Sequence, residues 1–140
     1  YDGDTIAVDM NGTKEKVRMI GVDTPETHDP RKNVQCYGKS ASEYTKNLIG
    51  NNPVRLEADP TNQNRDRYNR LLRYVYIPDG RLVNAEIIKN GYGFAYTSFP
   101  FEKLEEFRNY QREAQENNKG LWNTCNPSKN EYGGFTSNDE

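Results

Sequence analysis

The sequence predicts an α+β fold, a five-stranded, partly open β-barrel of the OB type with three helices. Three observations lead there. Short stretches of alternating or β-branched residues recur at positions 5–10, 14–22, 54–58 and 71–77. Asn11-Gly12 and Asp79-Gly80 are tight two-residue turns, and such turns demand antiparallel neighbours, which argues against a three-layer parallel sheet. Helical spacing interrupts the strands once, at 39–49, and returns after them at 83–90 and 102–118.

A chain of 140 residues is expected to form one domain with a modest core. Only 33% of it is hydrophobic, yet ten Tyr and five Phe supply bulk that the aliphatic count understates. No apolar run is long enough to cross a bilayer. The net charge of −2 argues against a protein that coats polyanions by bulk electrostatics, so a polyanion must be held locally. The charge is uneven: residues 61–73 carry Arg65, Arg67, Arg70 and Arg73 against Asp66, whereas 102–118 and the tail are acidic. The chain starts inside what reads as a strand, so the N-terminal strand is expected to be truncated, and the lack of a targeting segment in this stretch is uninformative.

Taken in order, the Asn11-Gly12 turn pairs Thr5 with Arg18 and Asp4 with Met19. Asp23 then overshoots Asp4 by four residues, about 13 Å at strand rise, too far for both to face one ion. The return strand must therefore bend back, and Gly21 is where it can. Residues 28–38, with His28, Pro30 and Gly38, read as an exposed loop, and His28 as solvated. Ala41, Tyr44, Thr45, Leu48 and Ile49 share a helical face that stops at Gly50. The second helix stops at Gly91, and an extended aromatic run follows at 92–96. The third presents Leu104, Phe107, Tyr110 or Gln111, and Ala114 inward and stops at Gly120. Residues 1–122 form the expected domain, with Leu121-Trp122 docking on it and 123–140 a tail tethered at Cys125. Phe94, Phe99, Phe101 and Phe107 are expected to pack rather than bind.

The stretch Val17 to Glu26, reading VRMIGVDTPE, finishes a packing strand in a cluster of charge. Carboxylates at a strand end beside Thr and Pro suggest a hard-cation or acid/base site on a rigid element. Asp2-Gly3-Asp4-Thr5 alone is an ordinary turn string; it gains weight from lying at the other end of the same hairpin, with Arg18 between. Cys36 and Cys125 match no zinc spacing. They either stay buried thiols or bridge a long loop, worth about 4 kcal/mol in the chain-entropy view. Their places beside Tyr37 and Trp122 favour the bridge.

Five motifs in order, DGDT, VRMIGVDTPE, Tyr37-Gly38, Asp66-Arg67-Tyr68-Asn69-Arg70-Leu71-Leu72 and Gly120-Leu121-Trp122, resemble the staphylococcal (micrococcal) nuclease family. The resemblance implies a secreted or extracellular, calcium-dependent endonuclease that hydrolyses DNA and RNA with little sequence preference; a monomer is expected because nothing in the sequence demands more. Carried over by position, it implies that Asp4, Asp23 and the Thr24 carbonyl bind Ca²⁺ and that Glu26 activates the attacking water. Arg18 and Arg70 would grip the reacting phosphate, Tyr68 and Tyr96 the nucleotide, and Arg31 and Lys32 further phosphates. Physical chemistry agrees: hydrolysis of a phosphodiester concentrates negative charge on the equatorial oxygens, and fixed guanidinium forks and a divalent ion stabilise it. Asn69 stands where the family usually has Gly, and it tolerates the left-handed turn needed there. Ser98 stands where some relatives carry a second stacking Tyr. The rival reading, a non-catalytic OB module binding single strands or a protein partner, should have lost Arg18, Glu26 or Arg70, and all are present.

Overall fold

The computed structural model describes residues 2–27, 35–129 and 134–137. Two strands, β1 (Thr5–Met10) and β2 (Thr13–Met19), form the expected hairpin in the expected register, Thr5 opposite Arg18 and Met10 opposite Thr13. The Met19 amide donates to the Asp4 carbonyl at 2.9 Å, which continues that pairing one step beyond the strand. Alternation explains which side is inside: Val17 and Met19 are buried, with Arg18 between them on the other face.

The return strand breaks where the sequence demanded. Gly21 takes φ +76°, and β3 (Val22–Asp23) sets off in a new direction. No side chain fits there, since a Cβ would lie 2.5 Å from the Phe101 ring. The bend is held from below by the fully buried Asn84, whose Nδ2 donates to the Ile20 carbonyl at 2.9 Å while its Oδ1 accepts the Val75 amide at 3.0 Å. The Ile20 amide donates to Arg73 across the sheet.

Helix α1 (Gly38–Ile49) follows, then β4 (Arg55–Glu57), β5 (Leu71–Tyr76), α2 (Val83–Lys89), β6 (Phe94–Ala95), α3 (Leu104–Glu116), α4 (Leu121–Thr124), and a small pair, β7 (Ser128–Lys129) with β8 (Phe135–Thr136). The main sheet runs β1-β2-β5-β4, and β3 pairs with β6 apart from it. The architecture is α+β as expected, but the finer description needs correction. Among the described residues there are four helices rather than three, strands in separate sheets rather than five in one, and no closed barrel. The physical reason is the bend, which takes β3 out of the main sheet and hands it to β6. The β2–β5 pairing is parallel, a non-local contact that turn chemistry does not announce. Residues 92–96 keep only the short β6, because the Tyr92 amide donates back to the Ile87 carbonyl at 2.9 Å while its ring stacks on that of Tyr44, centroids 4.1 Å apart.

One core gathers Val17, Met19, Val22, Leu71, Tyr74, Val75, Ile87, Ile88 and Phe107. A second, smaller cluster of Phe94, Ala114, Leu121, Trp122 and Cys125 lies beneath β6, with Phe135 packed against it. Cys36 and Cys125 are bridged, with Cα atoms 5.7 Å apart.

Candidate active site

The bend at Gly21, with the turns at Asp2–Thr5 and Asp66–Asn69, brings the charged residues to one place. Asp4, 6% exposed, follows a loop pressed against α1: the Thr45 hydroxyl donates to the Gly3 carbonyl at 2.6 Å, and a Cβ on Gly3 would meet the Ala41 backbone. Its Oδ2 accepts the Thr24 amide at 3.0 Å, and its Oδ1 accepts the Thr5 hydroxyl at 3.1 Å. Residues twenty apart in sequence thus meet because the chain doubles back at Gly21.

Arg18 rises from β2 into this corner. Its Nη1 donates to the carbonyls of Met19 and Val22, both at 2.7 Å, so the guanidinium closes the inside of the bend. Its Nη2 lies 3.5 Å from Asp4 Oδ2, and the two side chains are 16% and 8% exposed. A paired, half-sheltered Arg–carboxylate contact is less screened than a surface pair.

Arg70 enters from the other side. Asn69 takes φ +65°, as its place in the motif required, and the turn before it is organised by Asp66. Asp66 Oδ1 accepts the amides of Tyr68 and Arg70, and Oδ2 accepts Arg70 Nε at 2.7 Å. That second contact aims the guanidinium: Arg70 Nη1 reaches to 3.5 Å from the Thr5 hydroxyl, which itself donates to Asp4. Asp66 and Thr5 stand inside the quoted motifs, but the sequence alone assigns neither a role in the site. The spacing of Asp66 four residues before Arg70, typical of a side chain organising a local turn, was the available signal. Tyr68 is 62% exposed, with the Arg67 and Arg70 guanidiniums over its ring at 4.9 and 5.2 Å.

Asp23 lies next to Thr24 and opposite Phe94 in the β3–β6 pair. Two residues beyond Phe94, the Tyr96 amide donates to the Gly21 carbonyl at 2.8 Å, which places Tyr96 beside the bend. Phe99, expected to pack, is 63% exposed with its ring 5.9 Å from that of Tyr96; Phe101 takes the buried place instead. Glu26 is fixed through its main chain: its amide donates to Gln35 Oε1 at 2.8 Å and its carbonyl accepts the Gln35 amide at 2.9 Å. Asp2 Oδ1 accepts both the amide and the hydroxyl of Thr27. Arg31, Lys32 and His28 lie outside the described residues.

Asp4, Thr5, Arg18, Thr24 and Arg70 therefore form one connected group, with Asp23 and Glu26 on the same short segment as Thr24. No three His, Cys, Asp or Glu side chains among the described residues cluster tightly enough to hold an ion alone. The donors that are present suit a hard cation, being oxygens throughout, and Thr24 Oγ1 is buried with no hydrogen-bond partner among the described residues.

The model of the staphylococcal nuclease homologue family matches residues 16–124. The chain belongs to the staphylococcal nuclease family. It is 44% identical over 122 residues to a thermonuclease of Staphylococcus hyicus, covering 86% of this chain and 70% of that one. Against a thermonuclease of Staphylococcus intermedius the identity is 43%, covering 86% and 71%. Against the endonuclease YncB of Bacillus subtilis (strain 168) it is 42% over 123 residues, covering 86% of this chain and 57% of the relative. The staphylococcal nuclease membership carries the coarse activity with it: a hydrolytic nuclease acting on nucleic acid. Among the described residues no helix is long and apolar enough to cross a membrane.

Proposed function

We propose that this chain is a calcium-dependent endonuclease that hydrolyses phosphodiester bonds of DNA and RNA with little sequence preference. The observation that carries the reading is Asp4, whose carboxylate meets Arg18 and Thr24 directly and Arg70 through Thr5. Asp4, Asp23 and the Thr24 carbonyl are the proposed cation ligands, and Ca²⁺ tolerates so irregular an oxygen shell. The bound ion would add positive charge beside the scissile phosphate and draw the phosphate and the attacking water together.

The protein's own part follows from its geometry. Arg18 and Arg70 flank one carboxylate from two sides, so a phosphate oxygen entering between them meets two guanidiniums that stay protonated at working pH. Their charge is fixed before substrate arrives, which is the condition for lowering the barrier as charge builds on the equatorial oxygens. Glu26 accepts the proton of the attacking water from a backbone that is tied on both sides. Tyr68 and Tyr96 offer exposed rings to bases, and a ring face does not distinguish sequences. Arg31 and Lys32 are proposed to hold flanking phosphates, and the chain to act as a monomer. A disulfide persists in oxidising surroundings, which supports secretion as the route, with residues 123–140 as a tethered extension of the catalytic unit.

The test is digestion of plasmid and RNA with Ca²⁺, with Mg²⁺ and with EGTA, beside Glu26→Gln. Cleavage is expected with Ca²⁺, to vanish in EGTA, and to fall by a few orders of magnitude in the variant with the fold retained. Calorimetric titration with Ca²⁺ should give one site that Asp4→Asn removes. Cleavage that persists in EGTA would overturn the calcium assignment, and a fully active Glu26→Gln would overturn the role of Glu26.

A further inference from the structure

Gln35 engages the main chain of Glu26 and is linked in turn to the C-terminal part of the chain. Gln35 accepts the Glu26 amide on Oε1 at 2.8 Å and donates its own amide to the Glu26 carbonyl at 2.9 Å. Both main-chain polar groups of Glu26 are thus engaged by Gln35. The next residue, Cys36, is bonded to Cys125, 89 positions away, and its carbonyl accepts the Ser137 hydroxyl at 2.7 Å. Cys125 is itself fixed, its amide donating to Leu121 at 2.8 Å at the end of α4. Leu121, Trp122 and Cys125 pack with Phe94, and Phe135 lies against Phe94 and Trp122. Phe94 is the strand partner of Asp23. The same small cluster therefore backs Asp23 through β6 and Glu26 through Cys36 and Gln35.

We propose that Gln35 is a positioning residue for Glu26, and that the Cys36–Cys125 bridge and Ser137 hold Gln35 in place, so that turnover depends on the C-terminal segment. A general base must keep its carboxylate within hydrogen-bond reach of the water it deprotonates, and an error of about an ångström costs on the order of a hundredfold in rate. Tying the amide and the carbonyl of one residue fixes the direction in which its side chain leaves the backbone. A covalent link from the adjacent residue to a helix end keeps that tie from swinging. The inference rests on the proposed role of Glu26, and it assigns no contact between Gln35 and substrate.

Single-turnover and steady-state kinetics on DNA with Ca²⁺ test it. Gln35→Met, equal in length but without the acceptor, is expected to lower kcat about tenfold with KM within twofold, and Gln35→Glu, which restores an oxygen acceptor, to recover most of the loss. In a Glu26→Gln background, Gln35→Met should change nothing further. The Cys36→Ala/Cys125→Ala variant, checked for a folded core by aromatic circular dichroism, should lose kcat by a similar factor without adding to Gln35→Met. If it unfolds, Ser137→Ala makes the same comparison with an expected two- to threefold loss. Gln35→Met with unchanged kcat, or with a loss that appears in KM, overturns the positioning role, while full kcat in the folded bridgeless protein, or in Ser137→Ala where that stands in, overturns the part given to the C-terminal segment. If Glu26→Gln itself keeps full activity, the failure lies with the assigned base and not with Gln35.

Discussion

Asp4 and Asp59 are both buried carboxylates, 6% and 3% exposed, and they are surrounded in opposite ways. Asp59 is saturated by neutral donors: the Thr61 amide and hydroxyl on Oδ1, and the Tyr74 hydroxyl and Glu102 amide on Oδ2. It ties the 59–61 turn to β5 and to the approach of α3, and nothing cationic touches it in those contacts. Asp4 has one amide, one hydroxyl and an arginine at 3.5 Å, with a second arginine one hydroxyl away. A carboxylate whose lone pairs are all taken by uncharged groups is a strut. One that shares an oxygen with a guanidinium, with a second guanidinium one hydroxyl away and a buried threonine oxygen lacking a partner among the described residues beside it, is arranged to exchange contacts with something that arrives.

The sharpest way to break that contrast is through the arginines. Arg70→Lys should lower kcat/KM by at least about a hundredfold, because a point charge does not reproduce the fork, while stability stays within roughly 0.5 kcal/mol. Arg18→Lys should lose activity comparably and also stability, since one ammonium cannot serve the Met19 and Val22 carbonyls and Asp4 in the same geometry. Urea melts beside kinetics decide it; two variants with the same stability would mean that the bend does not need its guanidinium.

Asp59 should show the reverse pattern. Asp59→Asn is expected to cost about 2 kcal/mol by turning an acceptor into a donor against existing donors, with kcat retained at temperatures where the protein is folded. Burial by itself would raise the Asp59 carboxyl, but the hydrogen bonds from Thr61, Tyr74 and the Glu102 amide outweigh it and hold it below its ordinary 3.8. With the folded value below the unfolded one, this stabilisation is complete above the ordinary value and is lost as the pH falls through the folded value. The gap in urea midpoint between wild type and Asp59→Asn should therefore hold steady from about pH 6 down to the ordinary carboxylate value and narrow on further acidification. A gap that stays constant would place the stabilisation elsewhere.

The smallest effect is expected at Arg65, whose Nη2 meets Glu15 at 2.6 Å. Arg65 holds the Glu15 carboxyl below its usual range through a side-chain hydrogen bond, yet the pair sits at the surface. Arg65→Ala should move the urea midpoint barely beyond error, and not at all in molar salt.

How much of this was legible depended on the distance in sequence. The hairpin register came from one dipeptide, Asn11-Gly12, and the overshoot of Asp23 past Asp4 required the bend that Gly21 makes. The left-handed Asn69 was likewise local information. What a single chain does not announce is pairing between remote segments. The parallel contact of Val17 with Leu71, the alignment of Asp23 with Phe94, and the return of Phe135 onto Trp122 depend on which surfaces meet last. Helix α4, four residues long, is too short to give a period. The carbonyl contacts of Arg18 were hidden for another reason: the sequence displays a cation, and only the bend supplies the acceptors.

The crowding around Gly21 also bears on how loss-of-function data from this enzyme should be interpreted. A methyl group there would strike Phe101 and Phe107 at once, with Phe107 2.8 Å from the added carbon. In a random mutagenesis screen scored by nuclease plates, this position would rank with the charged residues although it touches neither cation nor phosphate. Ranking variants by halo size alone would thus enrol a hinge among the chemists, and a second screen for soluble, protease-resistant protein would return it to its own trade.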